Sequence, residues 1–197
     1  TFLKLQDFTQ KELVTYRIAL QQNVDVLFQN IHPKRRNAIR KAEQDLSVVV
    51  EALNAPEFYK WHKHTLESKK EAYPYTLDFF KKLSNAAIAH NSSICITAVD
   101  AQGNRYGTNW LVHDGQVMYN LLSATNPALT HRGAISILLW TAIQKAKDLG
   151  LSFFDFEGSM DAGIAHFFKR FGGEATPYFI FEKNDSLLWK IKQKILG

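Results

Sequence analysis

The chain has 197 residues, 46% of them hydrophobic, and a formal net charge of +5. That length supports one well-buried core, and no stretch approaches the about 20 apolar residues of a membrane span. A single cysteine, Cys95, excludes an internal disulfide and fits a reducing, cytoplasmic compartment, while the seven histidines are scattered without metal-ligand spacing, so no metal is expected.

The first residue is Thr1, with neither an initiator Met nor a signal-peptide pattern, so a piece of a longer protein is expected. Residues 16–20 alternate enough for a short strand, and 24–31 give one or two helical turns before Pro33. The next stretch, HPKRRNAIRKAEQDL, predicts a helix with Pro33 in its first turn and an apolar stripe of Ala38, Ile39, Ala42 and Leu46. Its other face carries Lys34, Arg36, Arg40 and Lys41. Such a run is either a solvated face or, because basic side chains at a helix N-terminus oppose the macrodipole, a place for a bound phosphate.

Residues 47–52 read as a β-branched strand, followed by a helix from Pro56 with Phe58, Trp61, His62 and Leu66 at helical spacing, and a second helix over 76–90. Residues 94–100, 106–113 and 116–123 predict three consecutive strands, with Asp114-Gly115 as the clearest hairpin signal, hence an antiparallel meander. A helix over 133–149 follows, broadly apolar on one face and stopped by Gly150.

The run LSFFDFEGSMDAGIAHFFKRFGGE then predicts strand, turn, helix and a double-glycine stop. A last strand over 177–182 and a basic amphipathic helix over 187–196 complete the chain. The strand at 151 should run parallel to 116–123, splayed from it to leave a cleft, because a long-helix crossover is right-handed. Gly172 or Gly173 should take a positive φ. Asp155 and Glu157 leave one face of their strand at its carboxyl end, where open α/β sheets hold ligands. They suit acid-base chemistry, or else they cap the next helix and pair with Lys169 or Arg170.

This order of elements resembles the GNAT acyltransferase fold over nearly the whole chain. The stretches RRNAIRKAEQ, MYNLLSATNPA and FDFEGSMDAGIAHFFKRFGGE are similar to blocks of FemAB-like members of that superfamily. The resemblance implies an α/β (α+β) fold with a mixed sheet, a meander followed by strand-helix-strand units, and helices on both faces. It further implies a domain over 15–183, preceded at 1–14 by the tail of a missing GNAT-like domain and followed by the helix at 184–197. GNAT enzymes cradle the donor's pyrophosphate on a Q/R-x-x-G-x-G/A loop. Here the equivalent is Thr130-His131-Arg132-Gly133-Ala134-Ile135, which keeps the central glycine and lacks the first and last signature residues. Fem ligases carry a lysine after the first phenylalanine of an F-K-x-G-F stretch, where this chain has Phe168, with Lys169 one place later.

The resemblance therefore implies an N-acyltransferase that moves an acyl or aminoacyl group from acyl-CoA or aminoacyl-tRNA to an amine, with no tightly bound cofactor. Glu157 is the candidate base, with Tyr119 and Lys169 as further catalytic groups. Ser123, Arg132, Gly133 and Ala134 would meet the donor. Arg36, Arg40 and Asp155 would meet the acceptor, for which a nucleotide-linked cell-wall precursor is a candidate. Two rivals remain: a non-catalytic ligand-binding module with the same fold, and an RNA-binding domain that uses the 34–41 run with Lys190, Lys192 and Lys194.

Overall fold

The computed structural model describes residues 8–158 and 162–183; the expected C-terminal helix and Thr1–Asp7 lie outside them. The elements run β1 (Thr9–Ala19), α1 (Val24–Asn30), α2 (Pro33–Asp45), β2 (Ser47–Glu51), α3 (Ala55–Ser68), α4 (Leu77–Ala89) and β3 (Ser93–Val99). They continue as β4 (Arg105–His113), β5 (Val117–Thr125), α5 (Ala134–Asp148), β6 (Phe153–Asp155), α6 (Ala162–Lys169) and β7 (Glu174–Glu182). Caps explain several starts. Asn23, Asn54 and Thr76 each accept a backbone N–H in the first turn of α1, α3 and α4. Among the described residues no helix is long and apolar enough to cross a membrane.

The strands form one mixed sheet in the order β2-β3-β4-β5-β6-β1-β7. β3 to β5 form the antiparallel meander expected from the hairpin signals, with Gly115 in the β4–β5 turn at φ +90°, and β2 adds antiparallel to β3. β5 and β6 pair in parallel over three residues, from Val117 opposite Phe153 to Tyr119 opposite Asp155. The α5 crossover between them demands that direction.

Beyond that point the two strands part, for two reasons. Leu111 of β4 faces two residues of β5, Asn120 and Leu121, which is a bulge that bends β5 away. On the other side the chain stays with β1, since the Phe156 N–H donates to the Tyr16 carbonyl at 2.9 Å.

Helices cover both faces. Leu27, Ile39, Ala42, Leu138, Ile143 and Phe168 from α1, α2, α5 and α6, with Ile31 at the end of α1, pack with Ile96, Leu111, Met118, Phe154 and Phe156. On the opposite face Phe58, Trp61 and Phe80 from α3 and α4 pack on Trp110 and Ala124. Burial of such side chains stabilises by about 1.5–3 kcal/mol each, which is why these helices stay on the sheet.

Strand β1 corrects the sequence reading. It begins at Thr9 instead of residue 16, and residues 9–14, assigned there to the tail of a preceding domain, pair with β7 in this sheet. Thr9 to Glu12 are all exposed, so no apolar alternation announces a strand. The register with β7, from Thr9 opposite Glu182 to Arg17 opposite Glu174, makes it one.

Candidate active site

Where β5 and β6 part, a cleft of about 730 Å³ opens. Its floor carries Asn120, Leu122 and Ser123 of β5 and Phe156, Glu157 and Gly158 beyond β6. One mouth is lined by His62, Thr65 and Leu66 of α3 with Lys69 and Glu71, and the other by Ile135 and Leu139 of α5 with Ile164, Phe167 and Phe168 of α6. The cleft therefore passes between helices of both layers. Such a volume lies within the about 300–1,000 Å³ typical of small-molecule sites.

A smaller cleft of about 230 Å³ adjoins it, lined by Thr15, Arg17, Tyr119, Asp155, Glu157 and Tyr178. Glu157 lines both. The register places Arg17 and Tyr119 directly beside Asp155, so the three share one face of the sheet. Phe154 and Phe156 point to the other face, into the core with Phe168 and Phe171.

Asp155 is 3% exposed and its oxygens are taken. Oδ2 accepts from Arg17 Nε at 2.6 Å, and Oδ1 accepts from the Thr15 hydroxyl and from the Glu157 N–H, the latter at 2.8 Å. It pairs, as one reading of the sequence allowed, but with Arg17 and not with Lys169 or Arg170. Its work is to join β6 to β1 and to fix the backbone of Glu157.

Glu157 has φ +66° and Gly158 follows at +68°. A Cβ at Gly158 would overlap the Val14 carbonyl oxygen, so the turn crosses β1 at a distance only glycine permits. For Glu157 the left-handed conformation is strained, by about 1–2 kcal/mol. Among the described residues its carboxylate has no ion-pair partner; burial, then the negative Asp155, raise its pKa above the usual carboxylate value, with Arg17 opposing.

The other expected residues divide. Ser123 lies in the large cleft, and its hydroxyl accepts from Asn120 Nδ2 at 3.2 Å. Asn120 in turn accepts from the buried Asn109 at 2.9 Å. Tyr119 walls the small cleft, but its hydroxyl donates to Asp114 Oδ2 at 2.9 Å, and burial with that carboxylate pushes its pKa up to about 12. The ring is held by the hairpin and the proton is turned away from Glu157.

Lys169, expected as a further catalytic group, stands apart from both clefts. Its amine lies 5.9 Å from the Tyr16 ring centre on the exposed side of α6, and it lines neither cleft. Arg36 and Arg40 are likewise elsewhere. Arg36 donates to the carbonyls of Gln29 and Ile31 at the end of α1, the latter at 2.8 Å, and Arg40 lies over the Phe28 ring. Ile39 and Ala42 are buried and α2 packs on α5, while Arg36 and Arg40 reach across to the end of α1.

The donor loop is also re-explained. Gly133 is the N-cap of α5, and a Cβ there would come within 2.7 Å of both the Ala38 carbonyl oxygen and Ala42 Cβ. Close packing of α2 accounts for the glycine. The Gly133 N–H donates to His131 Nδ1 at 3.2 Å and the Ala134 N–H to the His131 carbonyl. Since Nδ1 accepts, Nε2 carries the proton and donates to Asp45 at 3.2 Å. Ala134 is buried and Arg132 is exposed, and neither lines a cleft.

Arg17 and Thr15 were missed by sequence because the strand that carries them reads as mixed polar and apolar, and their partner Asp155 is distant in the chain. Asn120 was missed because a polar side chain between Tyr119 and Leu121 gives no sign of the bulge that turns it inward. Gly172, by contrast, takes the expected positive φ, +84°, after α6 ends at Lys169.

The arrangement has known counterparts. FemX matches with a TM-score of 0.80 at 13% identity, over 96% of this chain and 69% of that one. L-PGS from Bacillus licheniformis matches at 0.63 with 11% identity, over 94% of this chain and 65% of that one. AAC(6')-Iy, in complex with the bisubstrate analogue CoA-S-monomethyl-acetylneamine, matches at 0.54 with 14% identity, over 72% of this chain and 99% of that one. The chain thus spans about two thirds of the length of the first two, and at these identities the likeness is one of fold. No curated protein matches by sequence. The family described as "Acetyltransferase (GNAT) domain" matches residues 29–170, from the end of α1 to the turn after α6, and with most of the chain and both strands of the split sheet inside that match, the protein belongs to the GNAT acetyltransferase domain family.

Proposed function

We propose that this domain transfers an acyl or aminoacyl group from an activated donor to an amine, with the two substrates meeting at Glu157. The observation that carries this is that, among the described residues, Glu157 alone of the carboxylates without an ion-pair partner borders both clefts, with a raised pKa and a strained backbone. A carboxylate so placed takes a proton from the incoming ammonium, freeing the amine to attack, better than an ordinary surface glutamate. The donor occupies the large cleft, and the amine enters from the small one. Because Ser123 Oγ accepts from Asn120, its own proton is free for the donor's carbonyl or leaving oxygen.

The donor is either a thioester such as acyl-CoA or an ester such as aminoacyl-tRNA. Two amides at the start of α5, where a pyrophosphate would rest, already donate to His131. That favours the ester. A nucleotide-linked precursor as acceptor would place only its amine end in the small cleft. The same capped helix start also favours a second reading, a binding module with the GNAT fold and no catalysis.

A donor is first sought by thermal shift with acetyl-CoA and with aminoacyl-tRNA. Transfer and melting are then measured for the wild type and Glu157→Gln. Turnover should fall by roughly 100-fold or more, the usual worth of a positioned general base, without loss of melting temperature. A lower melting temperature at unchanged rate would refute the role, and failure of every donor to bind would favour the binding module.

A further inference from the structure

The small cleft has a chemistry of its own, and its assignment to a substrate rests on the acyltransferase reading for the direction from which the amine arrives. Of the three charged side chains in its lining, Asp155 is already satisfied by Thr15, Arg17 and the Glu157 N–H. Two groups are left with capacity to face a ligand, the Glu157 carboxylate and the outer edge of the Arg17 guanidinium. The Asp155 bond is to Arg17 Nε, which fixes the plane of the guanidinium, and among the described residues its two terminal nitrogens have no partner. A pinned planar fork with its outer edge free is suited to a carboxylate.

The two charges lie in a space of about 230 Å³, below the range of drug-sized sites, so the occupant is small or is one end of something larger. A plain amine would satisfy Glu157 and leave the terminal nitrogens of Arg17 desolvated without a partner. A plain anion would satisfy Arg17 and face Glu157. A zwitterion satisfies both.

We propose that this cleft is the binding site for an acceptor that carries a carboxylate close to its reacting amine, as a free amino acid does, with Arg17 receiving the carboxylate and Glu157 the ammonium. Thr15, Tyr119 and Tyr178 form the walls, and Arg17 is the residue that sets specificity. Its conformation depends on Asp155, so the sheet pairing of β1 with β6 builds the subsite.

The test compares ligands that differ only in the carboxylate. Binding of L-alanine against L-alaninamide, and of L-lysine against 1,5-diaminopentane, is measured by ligand-observed NMR without any donor. The wild type should prefer the carboxylate-bearing partner by about tenfold or more, as a charge-assisted bidentate contact supplies. In the double variant Arg17→Gln, Asp155→Asn, which removes both members of the ion pair together, the preference should fall to about twofold or less. Equal binding of acid and amide by the wild type would overturn the proposal, as would binding of neither, or a preference that survives in the folded double variant. If the double variant does not fold, the comparison on the unaltered protein still decides. Equal transfer to alanine and alaninamide, abolished by Glu157→Gln, would keep the acyltransferase reading and overturn this one. Selective alanine binding with no transfer from any donor would do the reverse.

Discussion

Glu157 bears two costs that a surface glutamate does not, a left-handed backbone and a partly desolvated charge, and each can be removed separately. Glu157→Gly removes both. The steric relief of about 1–2 kcal/mol exceeds the about 0.5–1 kcal/mol that glycine loses in backbone entropy, so this variant should melt above the wild type and be inactive. Thermal denaturation with a transfer assay checks it. The charge cost appears in the pH dependence. Because the folded-state pKa is raised, protonated Glu157 contributes stability that is fully present below the ordinary carboxylate pKa and is lost as pH rises through the folded value. Glu157→Gln should therefore flatten the fall in stability across that window. The transfer rate should move oppositely and rise with pH through the same value, since the base must be ionised. A pH–rate profile with its acid limb at the pKa of an unperturbed glutamate would count against this.

Among the elements, the start of α5 shows how one glycine can serve packing where a motif would have it serve a ligand. Gly133 lets the α2 backbone at Ala38 approach α5, and His131, held by Asp45, occupies the first amides. Gly133→Ala should destabilise by about 1–3 kcal/mol through overpacking, measured by denaturant titration, and it should do so equally with and without a donor present. Recovery of stability on adding acyl-CoA would restore the loop as a donor site. Gly173 is similarly crowded, with Phe168, Tyr16 and Phe156 atoms within 3.1–3.2 Å of a Cβ, although it is Gly172 that takes the left-handed turn. The β5 bulge acts at the same scale: it turns Asn120 inward to Asn109 and Ser123 and starts the divergence that makes the cleft.

The whole molecule depends on β1, which lies between β6 and β7 and holds both. Beginning the chain at residue 15, the domain boundary expected from sequence, would remove six of the nine register pairs with β7, those from Thr9 to Val14. Such a truncation should lower the melting temperature by several degrees or prevent folding, whereas beginning at residue 8 should not. Circular dichroism melts of the two chains decide it. An unaffected melt at residue 15 would mean that the three remaining pairs, from Thr15 to Arg17, are enough to hold β7.

The local elements were written in the sequence. Helix and strand periods, the Asp114-Gly115 turn, the Thr76 cap and the Gly172 stop depend on neighbours a few residues away, and their chemistry is visible in any short window. So is the parallel pairing of β5 with β6, because a helix that returns the chain to the starting end of the sheet makes the next strand run in the same direction. That much also pointed to a cleft at the carboxyl end of β6, and Glu157 borders it. Only the tertiary structure decided that residues 9–14 are strand, that Arg17 stands beside Asp155 across 138 residues of chain, and that Arg36, Arg40 and Lys169 are spent elsewhere. The reason is physical. A charged side chain has the same local signature whether it is solvated, tied to a carbonyl or aimed at a ligand, and what distinguishes the three is the partner that the sheet register brings to it.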